Sequence, residues 1–235
     1  MLNYLLLILL SPLILLQGIY VRRVTPKLSD PDGAREGLVG QGKPLSLLII
    51  GDSAGLGVGV DHQDLALSGQ INKQLEGDHA VTWKVVAKTG DTTSDTIEKM
   101  AAMPAEESFD VALISLGVND ITSGLPTSQW LEKQRQLREI LIQRHGIKHI
   151  ISSGMPPMYA FPALPHPLRW ILGRRAIEFD NKLGKELSPL SNCHYLKIGL
   201  MEDTSVMSRD GFHPGEQVYA YWGSAAAEII RELDY

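Results

Sequence analysis

Short, mainly apolar runs alternate along this chain with longer stretches whose apolar positions recur every three or four residues. The runs cover residues 45–50, 81–87, 111–116, 147–152 and 195–198, and the periodic stretches cover 63–75, 93–103, 128–145, 168–187 and 215–233. In 128–145, for example, Trp130, Leu131, Leu137, Ile140 and Leu141 approximate one face of a helix. Strands that are apolar on both faces and separated by helices predict a parallel sheet covered on both sides. Sheets of this kind carry their chemistry just beyond the C-terminal ends of the strands. The domain so predicted runs over 45–235.

The first 21 residues break this pattern. They carry no charged side chain and are mostly Leu and Ile, interrupted by Asn3, Ser11, Pro12 and Gln17. At about 1.5 Å per residue, some 20 apolar residues span a bilayer core of about 30 Å, so 1–21 reads as a membrane anchor. Arg22, Arg23 and Lys27 follow it, and by the positive-inside rule they place the following domain in the cytoplasm. A signal peptide is the competing reading and would put the domain in the periplasm or outside the cell. Its usual basic flank and small-x-small cleavage site are missing here. Residues 22–44, rich in Gly, Pro and polar side chains, read as a linker.

Composition narrows the function classes. The formal net charge is −5, 44% of residues are hydrophobic and 21% are charged. This is a globular composition with no basic footprint for nucleic acid. Cys193 is the single cysteine, so no disulfide forms within the chain.

Candidate chemistry falls at the strand ends. The first run ends in Gly51-Asp52-Ser53, the second in Thr89-Gly90-Asp91 and the third in Gly117-Val118-Asn119-Asp120, while Asp210-Gly211-Phe212-His213-Pro214 lies near the C-terminus. A serine hydroxyl is a poor nucleophile until a neighbouring base takes its proton, and the imidazole of His213 is a base of the kind that does so. Three residues of spacing let Asp210 hold one ring nitrogen of His213 while the other faces Ser53. The N–H groups of Ser53 and Gly90 and the amide of Asn119 offer donors for an oxyanion. Taken singly, Ser53 also reads as a helix N-cap and Asn119 as a turn residue. Asp52 and Asp120 read as capping or loop-bracing groups.

Four short motifs in fixed order resemble the SGNH hydrolases, also called the GDSL esterase/lipase family. The family's Ser, Gly, Asn and His match Ser53, Gly90, Asn119 and His213, and the acid of its Asp-x-x-His motif matches Asp210. The resemblance covers about residues 45–233. It implies a flavodoxin-like three-layer α/β/α sandwich with a five-stranded parallel sheet, and a serine ester hydrolase with Ser53, Asp210 and His213 catalytic. No cofactor is expected. Gly55, Gly57 and Gly59 lack dinucleotide-loop spacing, no Gly-Lys-Ser/Thr phosphate loop is present, and the histidines and acids lack metal-ligand spacing.

The segment 154–172 holds five prolines among Met, Phe, Leu and Trp, which precludes a regular helix through its first half. It reads either as a rigid loop packing on itself or as the wall of an acyl pocket, with Phe161 and Leu164 as its pocket residues. The expected substrate is a small acyl ester, a lysolipid if the anchor holds the protein at a membrane. Two alternatives stay open: a carbohydrate O-acetyl esterase or acyltransferase using the same residues, and a catalytically silent binding module.

Overall fold

The computed structural model describes residues 4–198 and 204–235. The elements run α1 (Tyr4–Val24), β1 (Glu36–Val39), β2 (Lys43–Gly51), α2 (Ser53–Leu56), α3 (Leu67–Leu75), β3 (His79–Ala87), α4 (Thr93–Ala102), β4 (Val111–Ser115), α5 (Val118–Thr122), α6 (Thr127–His145), β5 (His149–Ser153), α7 (Leu168–Leu187), β6 (Cys193–Leu196) and α8 (Glu216–Arg231), with three short 3-10 turns between them.

The sheet order is β1-β3-β2-β4-β5-β6. Strands β2 to β6 pair in parallel, and β1 adds an antiparallel edge on β3. Because side chains alternate across a strand, β2 feeds two cores. Leu48 and Ile50 face the layer of α4, α6 and α7, where Trp130 stacks on Phe179 at 4.6 Å. Leu45, Leu47 and Ile49 face α3 and α8, where Tyr219 and Trp222 are buried. The chain leaves β2 through α3 on one face and leaves β4 through α6 on the other. The crevice between the C-terminal ends of β2 and β4 is therefore the topological switch point, where such sheets bind ligands.

The domain expected over 45–235 gains residues from the segment expected to be a linker. Within 22–44, β1 pairs from Glu36↔Lys84 to Val39↔Val81, and β2 already starts at Lys43. Four residues, three of them exposed, are too few for a period of two to show in sequence. The turn joining the two strands depends on glycine. Gly40 and Gly42 have φ of 72° and 135°, and a Cβ on either would lie 2.2–2.3 Å from the carbonyl of His79 or Asp78.

The expected membrane anchor is not supported. Among the described residues no helix is long and apolar enough to cross a membrane; residues 1–3 of the expected anchor lie outside the described residues. Helix α1 lies against the domain, with Val21 buried and Ile14 packed on the core beneath α7. Gln17, an interruption in the apolar run, forms hydrogen bonds with the chain at His166 and Leu168.

Candidate active site

Strand β2 ends on the buried pair Gly51 and Asp52, and the backbone turns at once into the single helical turn α2. Asp52 causes the turn: its Oδ1 accepts from Ala54 N at 3.0 Å, satisfying a donor that a helix start leaves free. Gly57 ends the turn at φ 102°. Tyr219 of α8 donates its hydroxyl to Ala54 O and Val58 O at 3.2 and 2.8 Å, which fixes α2 from beneath.

The C-terminal loop supplies the partners of Ser53. Asp210 Oδ1 accepts from Phe212 N and His213 N at 2.9 and 3.0 Å, and its Oδ2 lies 2.5 Å from His213 Nδ1. His213 Nε2 lies 2.9 Å from Ser53 Oγ across 160 residues of sequence. Close approach of the two loops needs Gly59, where a Cβ would lie 2.1 Å from Pro214 O. Asp210 is 5% exposed. Burial alone would raise its pKa, but the hydrogen bonds from the His213 ring and from the backbone of His213 and Phe212, with the His213 charge, together hold it below the usual carboxylate range. The arrangement is that of a hydroxyl, a base and an orienting acid in series.

Across the crevice, Asn119 projects from α5, just past β4. Its Nδ2 donates to Asp91 O at 2.8 Å and faces Asp52 Oδ2 at 3.4 Å. The neighbouring Asp120 accepts from Thr93 N and Thr93 Oγ1, the latter at 2.8 Å, and Gln134 Nε2 donates to that hydroxyl at 3.1 Å. The loop after β3, which carries Gly90 and Asp91, is thus braced to the loop after β4 by two adjacent side chains. Gly90 has φ 91° and open space where a Cβ would sit. Burial raises the Asp120 carboxyl, against the lowering effect of its Thr93 hydrogen bonds. Asp52, 4% exposed, is pushed up to about 6 by burial, with the Asp120 charge adding to the rise and the Ala54 and Gly55 N–H groups and the His213 charge opposing it.

Ser53, Asn119 and His213 line a cleft of about 780 Å³, its open mouth included, with an apolar wall that includes Met155, Phe161, Phe212 and Trp222. Phe161 meets Phe212 edge-on at 5.2 Å, and Phe212 meets the His213 ring edge-on at 5.3 Å. Among the described residues no group of three or more His, Cys, Asp or Glu side chains is placed to hold a metal ion.

The sequence profile of the GDSL-like lipase/acylhydrolase family matches residues 49–221, a stretch that includes Ser53, Gly90, Asn119, Asp210 and His213. The chain belongs to this family. No curated protein matches it. Among solved structures with the GDSL fold, the lipase Lip_vut3 from a goat rumen metagenome is similar with a TM-score of 0.64 at 19% identity, over 78% of this chain and 96% of that one. The inhibitor-bound M. smegmatis aryl esterase gives 0.61 at 19% identity, over 81% and 100% of the two chains. A family two carbohydrate esterase from Clostridium thermocellum gives 0.59 at 13% identity, over 80% and 64%. At these identities the likeness is one of fold.

In this GDSL-like chain the structure brings Ser53, Asp210, His213 and Asn119 together, with Gly90 in the braced loop beside Asn119. Gly90 itself does not line the cleft. Phe161 does line it, whereas Leu164, expected beside it, does not: it is 2% exposed and packs in the core with Leu168 and Leu172. The backbone explains the parting. A 3-10 turn over Met158–Ala160 and the bond from Leu164 N to Phe161 O curl the loop so that the two side chains diverge. Sequence reasoning did not anticipate Phe212 or Met155 as cleft residues. Phe212 lies inside the Asp-x-x-His motif, and that position was its only signal.

Proposed function

We propose that the protein hydrolyses carboxylic esters with an apolar acyl group through an acyl-Ser53 intermediate. The observation that carries this reading is the series from Asp210 Oδ2 through His213 to Ser53 Oγ, at 2.5 and 2.9 Å, opening on an apolar cleft. Ser53 Oγ attacks the ester carbon while His213 Nε2 takes its proton. The negative charge that forms on the carbonyl oxygen is met by the Ser53 N–H and by the Asn119 Nδ2 hydrogen that is not given to Asp91 O, both groups lining the cleft. Collapse breaks the bond to the alcohol, which leaves with the proton from His213. Water, activated by the same histidine, then cleaves the acyl-serine ester and restores Ser53. Asp210 keeps the proton of neutral His213 on Nδ1 and stabilises the imidazolium.

The apolar wall supports a short- to medium-chain acyl group as the part of the substrate bound. Each methylene taken from water contributes about 0.8 kcal/mol, so kcat/KM on p-nitrophenyl esters rises about fourfold per methylene until the cleft is filled. A fluorophosphonate probe tests the nucleophile. It labels the folded wild type and not Ser53→Ala; an unlabelled wild type overturns the assignment.

A further inference from the structure

Helix α1 meets the domain at a point that bears on the cleft. Gln17 Nε2 donates to His166 O at 2.6 Å, and Gln17 Oε1 accepts from Leu168 N at 3.1 Å. One amide therefore holds both a donor and an acceptor of the backbone where the proline-rich segment enters α7. Ile14, Gln17 and Val21 lie three and four residues apart, so they share one helix face. That face is the docked one: Val21 is buried and Ile14 packs on the cluster containing Phe161, Leu164, Leu168 and Leu172.

Side chains tie the proline-rich segment where its own backbone bonds leave carbonyls over. Its prolines donate no backbone hydrogen bonds, and several of its carbonyls are taken by side chains. Arg169 donates to Leu164 O and Pro162 O at 2.5 and 3.0 Å. On the cleft side, Ala163 N donates to Gly211 O at 3.1 Å, next to Phe212, and Phe161 packs edge-on against Phe212. A continuous set of contacts thus leads from Gln17 through residues 161–168 to the aromatic pair beside His213.

We propose that α1, through Gln17, is a positioning element for acyl selectivity: it holds the proline-rich wall against the catalytic loop so that Phe161 closes on the acyl chain. The proposal rests on the ester-hydrolase reading above. It assigns Gln17 no contact with the substrate and no part in the bond-making steps.

The test uses the full chain carrying Gln17→Ala or Gln17→Glu. The glutamate keeps the acceptor for Leu168 N but sets a carboxylate oxygen against His166 O, so its loss should be at least that of alanine. With p-nitrophenyl octanoate, Gln17→Ala should raise KM about tenfold at unchanged kcat. With p-nitrophenyl acetate, which does not reach the wall, kcat/KM should stay within twofold of wild type. Equal losses on both esters, or no change on either, overturn the proposal. Hydrogen–deuterium exchange supplies a readout independent of turnover. Peptides covering 158–168 should exchange faster in Gln17→Ala while those covering β2 and β4 do not, and unchanged exchange there also overturns it. A wild type that neither turns over these esters nor reacts with fluorophosphonate rejects the hydrolase reading instead, and the exchange result still decides whether Gln17 holds the wall.

Discussion

Asp52→Asn should make the protein both more stable and less active, with a pH signature that separates the two effects. Burial pushes the Asp52 carboxyl from 3.8 to about 6. The folded protein therefore keeps a proton that the unfolded chain has already released. The sign follows from linkage: stability falls as pH rises from about 4 to about 6, and the deficit is complete above that. A gap of about two pH units at 1.36 kcal/mol each makes it about 3 kcal/mol. Asparagine has nothing to ionise, and its Oδ1 can still accept from Ala54 N. Urea denaturation of both proteins between about pH 3 and pH 8 should show an advantage of the variant that is small at the acid end, grows steadily from about pH 4 to about 6 and levels off by about pH 7, a total rise of about 3 kcal/mol. The low pKa of Asp210 has the opposite sign, since its stabilisation is present at neutral pH and lost as pH falls, but both proteins share it and it cancels in the difference. Activity moves the other way. The new Nδ2 would face Asn119 Nδ2 where a carboxylate oxygen stood at 3.4 Å, setting donor against donor and turning the Asn119 amide from its place. Loss of one oxyanion donor costs about 2.7–4 kcal/mol in the barrier, about 10²–10³-fold in kcat. A stability gap independent of pH refutes the burial argument; full activity refutes the role given to the Asp52 and Asn119 contact.

Three further substitutions probe the proposed catalytic series and the cleft wall. Asp210→Asn keeps an acceptor for Phe212 N and His213 N but presents an amide donor to His213 Nδ1, so the ring holds its proton on Nε2 and cannot take one from Ser53; kcat should fall about 10⁴-fold with the circular dichroism spectrum unchanged, and a loss under tenfold would contradict the assigned tautomer. Phe161→Ala should shift the preferred p-nitrophenyl ester towards longer or bulkier acyl groups, whereas Leu164→Ala, although it empties core volume and costs about 2–5 kcal/mol of stability, should leave the preference as it is. An identical shift in both variants would show that Leu164 reaches the substrate.

The parts of this protein legible in sequence are those where one physical requirement dominates many positions. The central parallel strands β2, β4 and β5 stand out because burial on both faces demands continuous apolar runs such as Leu47, Leu48, Ile49 and Ile50, all fully buried. Ser53, Asp210 and His213 stand out because a short spacing constrains the acid and base. The single-turn helices α2 and α5 are too short for a helical period, so the position of Asn119 came only from its place after a strand. Asp52 was read as a bracing group; its burial and its approach to Asn119 depend on two strands meeting. Phe161 and Leu164 could not be told apart because prolines abolish the periodicity that assigns faces. Gln17 was counted as a flaw in an apolar span, and its use depends on a loop 149 residues away.

Strand β1 has a consequence for the solubility of the chain. Strand β3 is nine residues long, and without β1 its outer row of backbone N–H and C=O groups would be open, a template on which another copy could add its own strand. Four residues with a glutamate at their head cover Val81 to Lys84 of that row, and at the far margin of the sheet β6 is also only four residues long. Short margins blunt strand-to-strand association between molecules. A fragment begun at residue 45, where the apolar pattern places the domain boundary, would keep Ser53, Asn119, Asp210 and His213 and lose this cover. It would be expected to self-associate through β3 while the longer chain stays monodisperse.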